Sequence, residues 1–393
     1  MTAAGSSATT RHSLVPLLIA AVLANGTAGL LYVWSLFILP IETALALDRA
    51  DLGLVSSLTL ISFTAGVSVM PSILSRIGRL PMAVLAFALM GGGHLAFGIW
   101  QGKGALLVGY GLGFGAGSGL AYGFALSLAA SLPDRFRALA IGLAMGAFAL
   151  SGIVLPFFLG DWIAATEPAI AFLRIGAFAV GVGFLCIVVL LAAGSAHVSM
   201  STSTAATPPQ PLDRPFLLLS LIFFLICFSG LAVVSQAAAM AADAGIAPAG
   251  YAAAALTIGY VVGSLAGAPL AERMGEGRIL LGLGAFALAG AVSILTGSKT
   301  VLFLGVALIG ITFGGSGSIM PVLLGLRYGA GNITRLYGKM IVAYGLAGLI
   351  APAVAGLLYN SARSYTPTLS LCIAASLLAI IVALRLDRVV ESE

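Results

Sequence analysis

Charged residues are so sparse and so evenly spaced along this chain that it reads as a series of long uncharged runs. They cover 13–41, 52–75, 80–102, 104–133, 138–160 and 175–212, then 215–242, 244–271, 279–298, 300–326, 340–362 and 364–384. Each run reaches the roughly 20 residues that an α-helix needs to cross about 30 Å of hydrocarbon at 1.5 Å per residue. The runs are continuously apolar, without the alternation of barrel strands, so the pattern predicts twelve spanning helices.

One stretch departs from the pattern. Residues 195–214, SAHVSMSTSTAATPPQPLDR, have too little hydrophobic surface to offset the entropy of ordering, and predict a solvated cytoplasmic linker. The linker separates a block at 1–194 from one at 215–393. The turn Ser75-Arg76-Ile77-Gly78-Arg79, after the second run of the first block, is echoed by Glu272-Arg273-Met274-Gly275 and Arg278 at the same place in the second. The organisation expected is two copies of one six-helix bundle.

Composition agrees with a bilayer as solvent. Only 8% of residues are charged and 60% are hydrophobic, with a mean hydropathy of +1.14, where a soluble chain carries roughly a quarter charged residues. Lys and Arg set the orientation. With both termini cytoplasmic, the inner segments hold thirteen of them and the outer loops five: Arg49, Lys103, Arg174, Lys299 and Arg363. This predicts a multi-pass protein of the cell (inner) membrane. The net charge of +5 is then a topology signal, and its dispersal, one to three basic residues per loop without interleaved aromatics, argues against a nucleic-acid partner. The first run is too long for a signal sequence and is expected to remain as the first helix. Cys186, Cys227 and Cys372 fall in apolar runs without paired spacing and read as inert core residues.

Polar residues within the runs are the candidate chemistry, because an unmet donor in hydrocarbon costs several kcal/mol. In span one, Asn25 and Thr27 suit a hydrogen bond to a neighbouring helix, Trp34 suits the interfacial belt, and Tyr32 suits either core or cavity. His94 in span three is either a packed side chain or a proton relay or gating contact. Span four carries glycines at 109, 111, 113, 115, 117, 119 and 123. These spread around the helix, allow close approach on more than one side, and permit bending; Tyr122 ends the tract. Gln236 in span seven is a candidate solute contact, as are Tyr260 in span eight and Tyr344 in span eleven. In span ten, Thr312-Phe313-Gly314-Gly315-Ser316-Gly317-Ser318 predicts a bent or partly unwound segment. Asn332 is placed to cap a helix starting at Ile333. Lys339 is either a snorkelling cation or an inner-vestibule contact.

Every Asp and Glu falls in a loop, a tail or a span boundary, so ionised groups are expected at the rims. Without an intramembrane acid, exchange or facilitated diffusion is favoured over proton coupling. Hydrolase, metal and P-loop signatures are absent from the sequence. Neither an enzyme nor a cofactor is expected.

The inner turn and its echo resemble the signature loop of the major facilitator superfamily, with Ser75 where an acid is usual. Tyr32-Val33-Trp34-Ser35 with Pro40, the tract Gly115 to Gly123, and Leu132-Pro133-Asp134-Arg135 look like the oxalate:formate antiporter and monocarboxylate carrier group. The resemblance implies an all-α membrane protein with twelve helices in two pseudo-symmetric bundles. It also implies gate loops at Arg76, Gly78, Arg79, Asp134, Arg135, Glu272 and Arg273, and aromatic cavity walls at Tyr32, Tyr122 and Phe313. Oxalate carriers of that group place a cation on span eight and another on span eleven. Here Tyr260 and Tyr344 stand in those spans, which disfavours a dianion. The expected function is alternating-access carriage of a small organic solute, a monocarboxylate-type anion, by a monomer in the lipid bilayer. Tyr32, Tyr122, Gln236, Tyr260 and Tyr344 would be donors and Phe313 a wall. An exporter of apolar or drug-like compounds is the alternative, and a receptor that binds without flux a third.

Overall fold

The structure, a computed structural model, describes residues 4–193, 213–329 and 332–391. The expected linker therefore lies almost wholly outside the described residues. Among those described, regular structure is helical throughout, and twelve helices are long and apolar enough to cross a membrane. They are Leu14–Leu45, Arg49–Ile77, Arg79–Trp100, Lys103–Ala129, Gly142–Ala165, Pro168–Ala192, Arg214–Asp243, Gly250–Met274, Glu276–Leu295, Lys299–Tyr328, Leu336–Ala362 and Thr366–Leu386, called here the first to twelfth spans.

The chain packs as two compact units. One takes in the chain up to Val33, Leu58–Leu155 and the segment from Trp162 through the sixth span. The other takes in Trp34–Ser57, Pro156–Asp161 and the second half of the chain. The boundary between them runs through the first, second and fifth spans.

The repeated basic turns share one backbone geometry. Gly78 separates the second and third spans at φ +80°, and Gly275 separates the eighth and ninth at φ +78°. A side chain is strained at such angles, so glycine in both turns reflects the same local requirement.

In the first unit the first span is interrupted. Its α-helix ends at Ala28, a 3₁₀ turn runs over Gly29–Val33, and α-helix resumes at Trp34. Backbone at membrane depth must have its polar groups met within the protein. Ser118 donates to the Ala28 carbonyl at 2.9 Å and Ser151 to the Gly26 carbonyl at 2.7 Å. Gly29 lies so close to Ser151 and the Phe148 backbone that a Cβ would overlap both. Asn25 donates to the Ala144 carbonyl at 2.8 Å, the interhelical bond expected of it. Trp34 is not at an interfacial belt; it is buried, 4% exposed.

The fourth span uses its glycines on two sides, as its sequence suggested. Gly115 and Gly119 meet Thr59 and Phe63 of the second span, whereas Gly109 and Gly117 meet Gly93 and Leu89 of the third. Its irregularity is a π-helix over Leu106–Phe114, ahead of regular helix from Gly115.

The tenth span corrects the sequence reading. Lys299–Tyr328 is one helix, unbroken through Thr312 to Ser318. Its glycines admit a neighbour instead of unwinding. A Cβ on Gly310 would overlap the Leu256 carbonyl, one on Gly314 the Tyr260 carbonyl, and in return one on Gly259 or Gly263 the carbonyls of Ala307 or Ile311. The eighth and tenth spans thus meet backbone to backbone, and Ser264 adds a bond to the Gly314 carbonyl at 3.1 Å.

This packing sets an internal comparison. Gly314→Ala should lower thermal stability of the purified protein by about 2 kcal/mol or more. Gly317→Ala, three residues along with open space at its Cβ, should change it by no more than about 0.5 kcal/mol. Equal effects in a thermal unfolding assay would refute the contact.

Candidate functional site

Two aromatic groups and one ion-paired cluster hold the six residues expected from sequence to contact or wall in a solute. In the first unit, the break in the first span presents Tyr32 edge-on to Phe148, with ring centroids 5.3 Å apart. Tyr122 of the fourth span lies 5.2 Å from the same ring and 5.5 Å from Phe63. Tyr32 and Tyr122 are therefore brought to one place, through two phenylalanines that periodicity could not separate from ordinary core positions. Tyr32, Phe63 and Phe148 are each 7% exposed. The arrangement offers ring edges, ring faces and two phenolic hydroxyls within one small volume.

In the second unit, Phe313 stacks on Tyr344 with centroids 6.2 Å apart and packs against Tyr260 at 5.5 Å. It has room to do so because Gly230 of the seventh span has no side chain; a Cβ there would strike the Phe313 ring. Three candidates from the eighth, tenth and eleventh spans thus share one group.

Gln236 stands apart from them, six residues beyond Gly230 and about 9 Å along the helix. Its Oε1 accepts from the Tyr365 hydroxyl at 3.0 Å, and Tyr365 in turn accepts from Nη1 of Arg49. The direction of this chain is fixed by donors. A guanidinium can only donate, so the phenol oxygen accepts from it and passes its own hydrogen to the amide oxygen. Burial pushes the Tyr365 phenol well above its ordinary range, with the Arg49 charge opposing, which keeps that hydrogen in place. Gln236 Nε2 is left buried without a hydrogen-bond partner.

Arg49 keeps to a span end, as expected of ionised groups, but it is buried there. It opens the second span instead of lying in the loop before it, and it is 2% exposed. Its Nε meets Glu42 at 2.6 Å and its Nη2 meets Asp243 at 3.6 Å. The guanidinium lies 4.1 Å from the centre of the Tyr359 ring, a cation–π contact. Its backbone N–H donates to the Asn360 side chain at 3.0 Å. Two carboxylates answer one cation, so the cluster presents no spare positive charge. In sequence this was one arginine beside Asp48. The available signals were Glu42 seven residues before it and the small residues Gly53 and Ser57 at the following helical turns.

The remaining candidates are dispersed. His94 is buried among Tyr110, Phe114 and Phe172, with centroids 5.3, 4.6 and 5.4 Å away, and its Nδ1 lies 2.9 Å from the Met90 carbonyl. Lys339 is exposed, as are Arg76, Glu272 and Arg273. Arg79 is half-buried, and its Nη2 has no hydrogen-bond partner. Asp134 and Arg135, expected in a loop, instead begin a helix, and their side chains lie outside the described residues. The ion pair near the second turn is Glu276 with Arg327, 2.7 Å apart, a pair not expected from sequence. Asn332 precedes the helix from Ile333 without capping it; its amide donates to the Tyr328 carbonyl at 2.9 Å.

Residues 217–393 match the family model described as the Major Facilitator Superfamily. No curated protein sequence matches the chain. Among solved structures, it is similar to a bacterial homologue of the human lysosomal transporter Spinster, captured inward-facing and unoccupied. That similarity has a TM-score of 0.69 at 15% identity, and covers 96% of each chain. The chain therefore has the twelve-helix major facilitator fold.

The surroundings of His94 favour packing over proton relay. His94→Phe should retain stability within about 1.5 kcal/mol, since the Met90 carbonyl keeps its place in the helix, and should leave any solute flux unchanged. His94→Asp, which puts a carboxylate into an aromatic enclosure, should cost at least about 2.5 kcal/mol. Loss of flux in a stable His94→Phe protein would restore the relay.

Proposed function

We propose that this protein is a membrane carrier that moves a small organic solute by alternating access, with monocarboxylate-type organic anions as its substrates. The observation that carries the reading is the interrupted first span. A 3₁₀ turn at membrane depth, with the Gly26 and Ala28 carbonyls just before it met by Ser151 and Ser118 and its Tyr32 turned onto Phe148 and near Tyr122, is the kind of irregular backbone that carriers use to build solute sites. The similarity of residues 217–393 to a transporter superfamily supports the same class.

The preference for a singly charged or weakly polar solute comes from electrostatics. The buried cation among the described side chains, Arg49, is already answered by Glu42 and Asp243. Within the first unit, the phenolic donors at Tyr32 and Tyr122 suit one carboxylate better than two. The walls themselves are aromatic, which favours as a second reading the export of apolar or drug-like compounds.

Reconstituted protein separates the two. Saturable uptake of acetate, lactate or pyruvate into liposomes, with KM raised about tenfold by Tyr32→Phe or Tyr122→Phe through loss of one hydrogen bond, would support the anion reading. A carboxylate at a hundred times its Kd should stabilise the purified protein by about 2.7 kcal/mol. Stabilisation by lipophilic dyes but by no carboxylate would replace it with the second reading, and stabilisation without flux would overturn both.

A further inference from the structure

Arg49, Gly53 and Ser57 fall at successive helical turns and form one stripe at the start of the second span. Facing them on the eleventh span are Pro352, Ala353, Gly356 and Asn360. A Cβ on Gly53 would overlap the Pro352 carbonyl, and one on Gly356 the Arg49 carbonyl. The Ala353 N–H, beside the proline, donates to the Ser57 hydroxyl at 3.0 Å, and the Arg49 N–H donates to Asn360. Two helix ends thus meet through glycine and single hydrogen bonds. The Arg49 guanidinium closes the same contact from the side, reaching Glu42 in the last turn of the first span, Asp243 at the end of the seventh, Tyr359 on the eleventh and Tyr365 before the twelfth.

We propose that Arg49 is the centre of a releasable latch, which fastens residues 42–57 to the ends of the seventh, eleventh and twelfth spans and lets go when that end of the protein opens. The proposal rests on the carrier reading, in which each end must part once per cycle.

Three properties suit release over permanent fastening. The desolvation of a buried ion pair largely cancels its attraction, so such a pair fixes geometry while adding little net stability. Glu42 and Asp243 are each about a quarter to a third exposed, so water takes over their solvation once Arg49 withdraws. And the closed network leaves the Gln236 Nε2 donor unmet, a cost that opening removes. Lysine cannot replace Arg49 here, because the flat fork that donates to Glu42 and Tyr365 while stacking on Tyr359 is specific to a guanidinium.

Maleimide labelling of a Ser57→Cys protein in detergent, without any solute, tests the latch. The parent cysteine is buried beneath Ala353 and should label slowly; Cys186, Cys227 and Cys372 are buried and provide the background. Adding Arg49→Gln should raise the rate at least tenfold, with Arg49→Lys close to it and Glu42→Gln smaller. Unchanged labelling in Arg49→Gln would overturn the proposal, as would simultaneous exposure of Cys227 and Cys372, since Arg49 would then be holding the whole fold together. The readout needs no substrate. Flux with latch-insensitive labelling would therefore condemn the latch alone, and latch-sensitive labelling without flux would condemn the carrier reading alone.

Discussion

At membrane depth a backbone carbonyl or N–H has no water to turn to, and this requirement bears directly on the break in the first span. The first span leaves α-helical geometry at Gly29, where the hydroxyls of Ser118 and Ser151 come close enough to meet its carbonyls. The fourth span widens into a π-helix over Leu106–Phe114, where it lies against glycine of the third span. The break in the first span also places Tyr32 among aromatic rings, so the satisfaction of backbone groups and the placing of Tyr32 are one arrangement.

Glycine performs two separate tasks. At Gly78 and Gly275 it supplies a backbone angle that other residues adopt only under strain. At Gly259, Gly263, Gly310 and Gly314 the helices are regular, and the missing side chain lets two backbones touch. Apolar side chains gain nothing from leaving lipid for protein, so close approach and many dispersion contacts have to supply helix association.

Charge is handled by neutralisation at a boundary. Arg49 can be buried because Glu42, Asp243 and the Tyr359 ring surround it, and an unanswered cation there would be too costly to keep. Through Tyr365 the same cation orients the Gln236 amide, which joins a candidate solute contact to a charged cluster.

Sequence by itself determined the number of spans, the helical class and the polar residues that needed partners, because length and hydropathy are sums over local residues and the cost of an unmet donor is local too. The glycine alternation of the fourth span was legible for the same reason: small residues at helical spacing allow contact on any side they face. The glycines of Thr312 to Ser318 predict a bent or partly unwound segment, whereas the helix does not unwind there, since glycine permits both unwinding and a close contact, and the neighbouring Tyr260 carbonyl shows the contact. Phe63 and Phe148 looked like two of many apolar residues until the break in the first span set Tyr32 beside them. Arg49 passed for a loop residue because its burial depends on Gly356, Asp243 and Tyr365, some two to three hundred positions away in the chain. What tertiary structure alone decided was which residues touch, because local composition can show that a side is small or polar but not which distant residue will meet it.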